Sequence, residues 1–119
     1  MNKELIEKIL KFRDERNWKQ FHNPKDLAIS INLEAAELLE NFQWTGSDTE
    51  TAGRLENISE ELADVVIYCI YMADALGLEM DTIVWNKLLK NGEKYKINNS
   101  YGNKNKYTRL KVCHDNLPE

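Results

Sequence analysis

Apolar residues recur along this chain at intervals of three and four. Leu5, Ile6, Ile9 and Phe12 follow that period, which predicts a first helix over residues 3–16. Arg16-Asn17-Trp18-Lys19-Gln20-Phe21-His22 breaks the pattern and reads as a connection. A second helix opens with Asn23 as N-cap, Pro24 at the first helical position and Asp26 in the first turn. Its pattern continues to about Trp44. Thr45-Gly46-Ser47-Asp48 is a loop, with Ser47 or Asp48 as the next cap. The third helix runs to Leu76, where Gly77 ends it, and Gly53 interrupts its first turns. Asp81 caps a short fourth helix that ends near Asn91-Gly92. The stretch Asn98 to Asn103 reads as linker, and the remaining tail has no period. The chain has only two prolines, no apolar/polar alternation and no internal repeat. The expected fold is all-α, a four-helix bundle spanning residues 1–96, followed by a polar, basic tail over 97–119.

Length and composition fit that picture: 119 residues, 42% hydrophobic and 30% charged, suit one globular domain. The longest apolar run is Val65 to Ala73. It is less than half the ~20 residues that a membrane helix needs. The charged N-terminus lacks the apolar stretch of a signal peptide. Two cysteines, Cys69 and Cys113, cannot build a disulfide framework, so a reducing, cytoplasmic setting is expected. Charge is unevenly spread. Residues 1–92 hold 10 Lys/Arg against 17 Asp/Glu, whereas residues 93–119 hold 6 against 3. An acidic body argues against duplex nucleic acid as the main partner. It does not exclude a nucleotide, because a divalent cation can reverse the local sign.

The chemistry concentrates in two acidic pairs. Glu34 and Glu37 stand on the second helix, Glu61 and Asp64 on the third, each pair at i, i+3 and so on one helix face. At about 100° per residue, Leu27, Ala28, Ile31, Ala35, Leu38, Leu39 and Phe42 form one apolar stripe on the second helix. Ile29, Leu33 and Ala36 form another, and the two glutamates lie between the stripes. Glu61, Asp64 and Tyr68 share a strip bordered by Val65, Ile67 and Met72, while Glu56, Glu60 and Asp74 point toward solvent. Trp85 faces Leu88 and Leu89 and reads as core. Carboxylates beside apolar surface are costly unless paired or metal-bound. A hard divalent cation would make the cluster reasonable, and Mg²⁺ with its oxygen ligands fits. Zinc is disfavoured because no His/Cys cluster exists, and a di-iron site wants Glu-x-x-His pairs that are missing. Acidic pairs at this spacing also occur on plain solvated faces, so spacing by itself leaves function open.

These residues resemble the MazG-like, all-α nucleoside triphosphate pyrophosphatase superfamily, which is marked by E-x-x-E on one helix and E-x-x-D on the next. The closer resemblance is to its dCTP pyrophosphatase branch. Arg16 to His22 looks like that branch's R-D-W-x-Q-F-H, Phe42-Gln43-Trp44 like its F-Q-W, and Glu60 to Val65 with Ile67-Tyr68 like its E-E-L-x-D-V-x-I-Y. Lys87, Asn91 and Tyr95 match its K-x-x-x-N-x-x-x-Y. The resemblance implies hydrolysis of a nucleoside triphosphate between the α- and β-phosphates, with a pyrimidine such as dCTP as first choice. It implies that Glu34, Glu37, Glu61 and Asp64 hold Mg²⁺ and that Glu37 or Glu40 orients the attacking water. Lys87 and Asn91 would meet the phosphates. Trp18, Gln20, Trp44 and Tyr68 would read the base, in a pocket to which Arg16, Asn17 and Lys19 also belong. Part of the branch has a histidine where this chain has Ile9, which leaves the preferred base open between dCTP, dUTP and a modified analogue.

The second stripe of the second helix needs a cover that a small bundle lacks, so a homodimer or homotetramer is expected, with no nucleic-acid or membrane partner. The competing class is a non-catalytic helical interaction module that uses the same acidic groove for a basic partner.

Overall fold

A computed structural model describes residues 1–105 of the chain. Among these residues every regular element is helical. α1 spans Lys3–Glu15, α2 Pro24–Glu40, α3 Leu55–Ala75, α4 Met80–Lys94 and α5 Ile97–Ser100, with a single 3₁₀ turn at Lys19–Phe21. The all-α expectation holds. The chain divides into two compact units, Met1–Met80 and the segment from Asp81 onward. The end of the expected tail, residues 106–119, lies outside the described residues.

In the first unit, local chemistry sets the helix ends. Asn2 Oδ1 accepts from the Leu5 N–H at 3.2 Å and caps α1. Asn23 Oδ1 accepts from the Asp26 N–H at 2.9 Å and Pro24 occupies the first turn, as the Asn-Pro pair predicts. Such a cap is worth about 1 kcal/mol. At the far end of α3, Gly77 has φ +66°. Its N–H donates to the Asp74 carbonyl at 3.1 Å, and that of Leu78 to the Ala73 carbonyl at 2.8 Å. This double closure needs a left-handed residue at Gly77.

Three boundaries differ from the sequence pattern. α2 stops at Glu40, not near Trp44. The Asn41 side chain turns back to donate to the Leu38 carbonyl at 3.1 Å, a local bond that competes with helix continuation. α3 starts at Leu55, not after Ser47 or Asp48, and Gly53 just before it has φ +81°. The α2–α3 connection is therefore longer than expected, and Trp44 lies on it, 89% exposed. α4 continues through Gly92 to Lys94, and α5 begins one residue before the stretch read as linker and overlaps it.

α2 and α3 form an antiparallel pair, because the end of one is bonded to the start of the other. Arg54 Nη1 donates to the Asn41 carbonyl at 2.9 Å, and Asn57 Nδ2 to Asn41 Oδ1 at 2.7 Å. The Arg54 guanidinium also covers the Phe42 ring at 5.2 Å. α1 packs on α3, whose buried residues Ile70, Tyr71 and Ala73 make most of the small core together with Leu27 of α2. Arg13 is the buried charged residue of this core, and its partner is Asp74. Asp74 is exposed, as its place on the helical wheel predicts, and in addition it reaches back to this buried guanidinium.

Much apolar surface is left open. On α2, Ile29, Leu33 and Ala36 are exposed, as the second stripe predicts, and so is Leu39 of the first stripe. Leu62 and Val66 are exposed on α3. In the second unit, Trp85, Leu88 and Leu89 are exposed together, so Trp85 is not the core residue its spacing suggests.

Candidate functional site

α2 and α3 bring the two acidic pairs face to face. Glu34, Glu37, Glu61 and Asp64 each offer a carboxylate oxygen, and these oxygens all lie within 4.8 Å of one another. Glu34, Glu61 and Asp64 are half-buried and Glu37 is exposed. Glu34 Oε2 and Glu61 Oε2 are buried with no hydrogen-bond partner, and among the described residues no Lys or Arg forms an ion pair with any of the four. The Glu34 carboxyl is pushed up from 4.5 to about 6, first by burial, then by the charge of Glu37 and a hydrogen bond with it, and then by Asp64 and Glu61. Glu61 is also raised, by its hydrogen bond with Glu37 before burial and neighbouring charge. Like charges this close favour shared protons unless a cation replaces them. Orphaned buried oxygens and an all-carboxylate donor set suit a hard divalent cation such as Mg²⁺ or Mn²⁺. Glu40, the alternative water-orienting carboxylate, is exposed and stands outside this cluster.

A cavity of about 410 Å³ adjoins the cluster, and Glu34 and Asp64 belong to both. Trp18 and Tyr68, expected from the sequence, line it. Phe12 and Tyr71 line it too, and sequence reading passed over both. For Tyr71 the spacing carried a signal, since it follows Tyr68 by one turn and so shares its helix face. Phe12 and Trp18 meet edge to face at 5.8 Å, and Tyr68 and Tyr71 at 5.6 Å. Ile9 adds an apolar wall. Burial raises the Tyr68 hydroxyl, helped by the charges of Glu34 and Asp64, so it remains a hydrogen-bond donor at neutral pH.

The turn after α1 aims Trp18 into this space. Asn17 has φ +53°, a left-handed conformation that Asn tolerates better than most residues. The chain reverses there, and the Trp18 N–H returns to the Arg13 carbonyl at 3.1 Å. Gln20 Nε2 closes the turn on the Asn17 carbonyl at 2.9 Å. Arg16 stacks on Phe12, 3.6 Å from its centroid, and donates to the Phe12 carbonyl at 2.9 Å. These residues shape the cavity wall, while Lys19 is exposed on the 3₁₀ turn. His22 packs behind the cavity, 4.9 Å from Tyr71 and 6.4 Å from Tyr68. Trp44 is not among the cavity residues. Lys87 and Asn91 belong to the second unit, where they share one face of α4 with Ile83, Val84 and Leu88.

A profile of the MazG-like family matches residues 29–110 and so takes in both acidic pairs. The chain belongs to the MazG-like family. This MazG-like chain is 36% identical over 105 residues to dCTP pyrophosphatase 1 of Mus musculus, covering 83% of itself and 61% of that protein. It is 32% identical over 104 residues to dCTP pyrophosphatase 1 of Homo sapiens, again covering 83% and 61%. The chain therefore spans about three-fifths of the length of these curated relatives. A solved pyrophosphatase from Archaeoglobus fulgidus superposes with a TM-score of 0.73 and is 42% identical, covering 78% of this chain and 90% of that one.

Proposed function

We propose that this MazG-like chain hydrolyses a pyrimidine deoxynucleoside triphosphate between its α- and β-phosphates, giving the monophosphate and pyrophosphate. The observation that carries this reading is the sharing of Glu34 and Asp64 between the carboxylate cluster and the aromatic cavity. A phosphate chain and its base need those two environments side by side. The curated relatives carry dCTP in their names, and the A. fulgidus structure is a pyrophosphatase.

In this reading Glu34, Glu37, Glu61 and Asp64 hold Mg²⁺, which when bound offsets negative charge on the phosphate oxygens. Glu37 is the exposed member of the four, so it is the carboxylate most open to an attacking water. Glu40, outside the cluster, is less suited. Trp18, Phe12 and Tyr68 offer ring faces and edges to the base; stacking on such rings is worth roughly 1–3 kcal/mol and tolerates any base. Arg16, Asn17 and Gln20 act by fixing Trp18 and Phe12. The active form is a homodimer or homotetramer in the cytoplasm. Exposed Ile29, Leu33, Leu62 and Val66 support association, since large apolar patches mark interfaces.

The test is a panel of the common ribo- and deoxyribonucleoside triphosphates, with Mg²⁺ and then with EDTA, the products being separated by chromatography. Metal-dependent monophosphate and pyrophosphate from a pyrimidine deoxynucleotide are expected. Diphosphate and phosphate would overturn the choice of bond. No turnover of any triphosphate would favour the non-catalytic module.

A further inference from the structure

Among the described residues that line the cavity, Lys8 carries the only positive charge. Its ammonium lies 3.6 Å from Glu4, one turn earlier on α1, and both side chains are highly exposed. A screened pair of that kind holds its partner weakly, so the ammonium is available to a ligand.

The register of α1 on α3 shows which end of the cavity Lys8 occupies. Arg13 meets Asp74 near the C-terminal end of α3. Ile6 and Leu10, which flank Lys8 in sequence, share a separate hollow with Ala73, Gly77 and Leu78. The N-terminal half of α1 thus lies beside the C-terminal end of α3, and Lys8 with it. Asp64 marks the opposite end. From Asp64 to Tyr71 the cavity follows two turns of α3, about 10 Å at 1.5 Å per residue.

A nucleotide whose phosphates meet the carboxylates directs its base toward Phe12, Tyr71 and Lys8. A pyrimidine is joined to its sugar through N1, so ring position 4 is the part furthest from the phosphates. Uracil and thymine carry a carbonyl oxygen at that position, and cytosine an amino group. An ammonium can only donate. Toward a carbonyl it makes a charge-assisted bond; toward an amino group it sets donor against donor.

We propose that Lys8 is a specificity-determining residue whose ammonium donates to the 4-carbonyl oxygen of a uracil or thymine base, at the cavity end remote from the carboxylates. The inference rests on the nucleotide reading above and refines it. It tips this chain toward 4-keto pyrimidine nucleotides, away from the cytosine nucleotide named for its curated relatives. Ile9 and Phe12 beside Lys8 are apolar, so the polar side chains at that end are Lys8 and Tyr71, of which Lys8 alone is charged.

The experiment compares kcat/KM for dUTP and dCTP in the wild type, K8M and E4Q, with Mg²⁺ present. K8M keeps an unbranched stem on an exposed helix position, so circular dichroism should be unchanged. The expected result is a dUTP-to-dCTP preference in the wild type that falls about tenfold in K8M, the scale of one charge-assisted hydrogen bond. The loss should lie in KM for dUTP, with kcat retained. E4Q, which releases the ammonium, should lower KM for dUTP. A K8M variant that changes both nucleotides by one factor, or neither, overturns the proposal. If the wild type turns over no triphosphate, the hydrolase reading fails and Lys8 is judged by calorimetric titration with dUMP and dCMP. A preference for dUMP that K8M erases then supports it, and equal affinities in the wild type overturn it.

Discussion

Arg13 Nη1 donates to Asp74 Oδ2 at 2.7 Å, linking α1 to the end of α3 across 61 positions of sequence. Arg13 is only 2% exposed. Its Nε and Nη2 are taken by Asp14 at 2.9 and 2.8 Å, and its guanidinium lies 5.9 Å from the Tyr71 centroid. One side chain thus fastens the helix that walls the cavity to the helix that carries Asp64.

Breaking that tie should loosen the cavity before it unfolds the chain. Arg13→Ala is expected to cost about 2 kcal/mol, from the lost packing of a buried side chain and a charge-assisted hydrogen bond, since the carboxylates left behind are exposed. Asp74→Asn should cost about 1 kcal/mol, because Asp14 still satisfies the guanidinium. Urea denaturation followed by circular dichroism checks both values.

Glu61→Gln removes one charge from the cluster and leaves the helix intact. Turnover should fall about a hundredfold or more, the scale of losing metal-assisted charge stabilisation. Mn²⁺ binding, followed by electron paramagnetic resonance, should weaken in parallel while the helical spectrum is unchanged. Retained turnover would remove Glu61 from the metal site.

Glu34 makes the metal-free protein sensitive to pH. Its carboxyl titrates at about 6 in the folded chain instead of 4.5, so between those values the folded state holds the proton more firmly than the unfolded one. The stability this provides is complete below about pH 4.5 and is lost as pH rises to about 6. In EDTA, Glu34→Gln should therefore melt higher than wild type at pH 7 and lose that advantage near pH 4.5. Adding Mg²⁺ at pH 7 should raise the wild-type midpoint more than the variant's.

His22 works in the opposite direction. Burial, and then the Arg13 charge, hold its imidazole below the usual 6.5. Its contribution is complete above pH 6.5 and is lost as pH falls through the lowered value. His22→Phe keeps a ring against Tyr71 and carries no proton. Thermal melts at pH 7 and pH 5.5 should show a smaller acid-induced drop for the variant than for wild type.

The grouping of the four carboxylates was more legible in the sequence than the helix ends. Glu34, Glu37, Glu61 and Asp64 could be grouped because a helix converts i, i+3 spacing into a shared face, and two adjacent helices need only the right rotation. Asn23-Pro24 and Gly77 marked their boundaries because each fixes a specific backbone conformation. The end of α2 was not legible. Phe42 and Trp44 continue the apolar period, but Asn41 bonds back to Leu38 and halts the helix first. Asp74 is exposed as expected, but its bond to Arg13 was not legible, because a helical wheel knows nothing of a residue on another helix. Tyr71 could have been found from its face shared with Tyr68, whereas Phe12 could not, because an aromatic residue at core spacing gives no sign that a cavity lies beside it.

The carboxylates stand wholly on α2 and α3, whereas α1 contributes Lys8, Ile9 and Phe12 to the opposite wall of the cavity. On the proposed reading, the groups that hold the metal and the α1 side chains that meet the base are therefore written in separate stretches of the chain, with Tyr68 and Tyr71 of α3 between them. A lineage can exchange residues of α1 and acquire a new nucleotide preference while every carboxylate stays in place. An α1 transplanted between relatives, with its Arg13 clamp retained, should carry the preference of its donor to an unchanged carboxylate cluster.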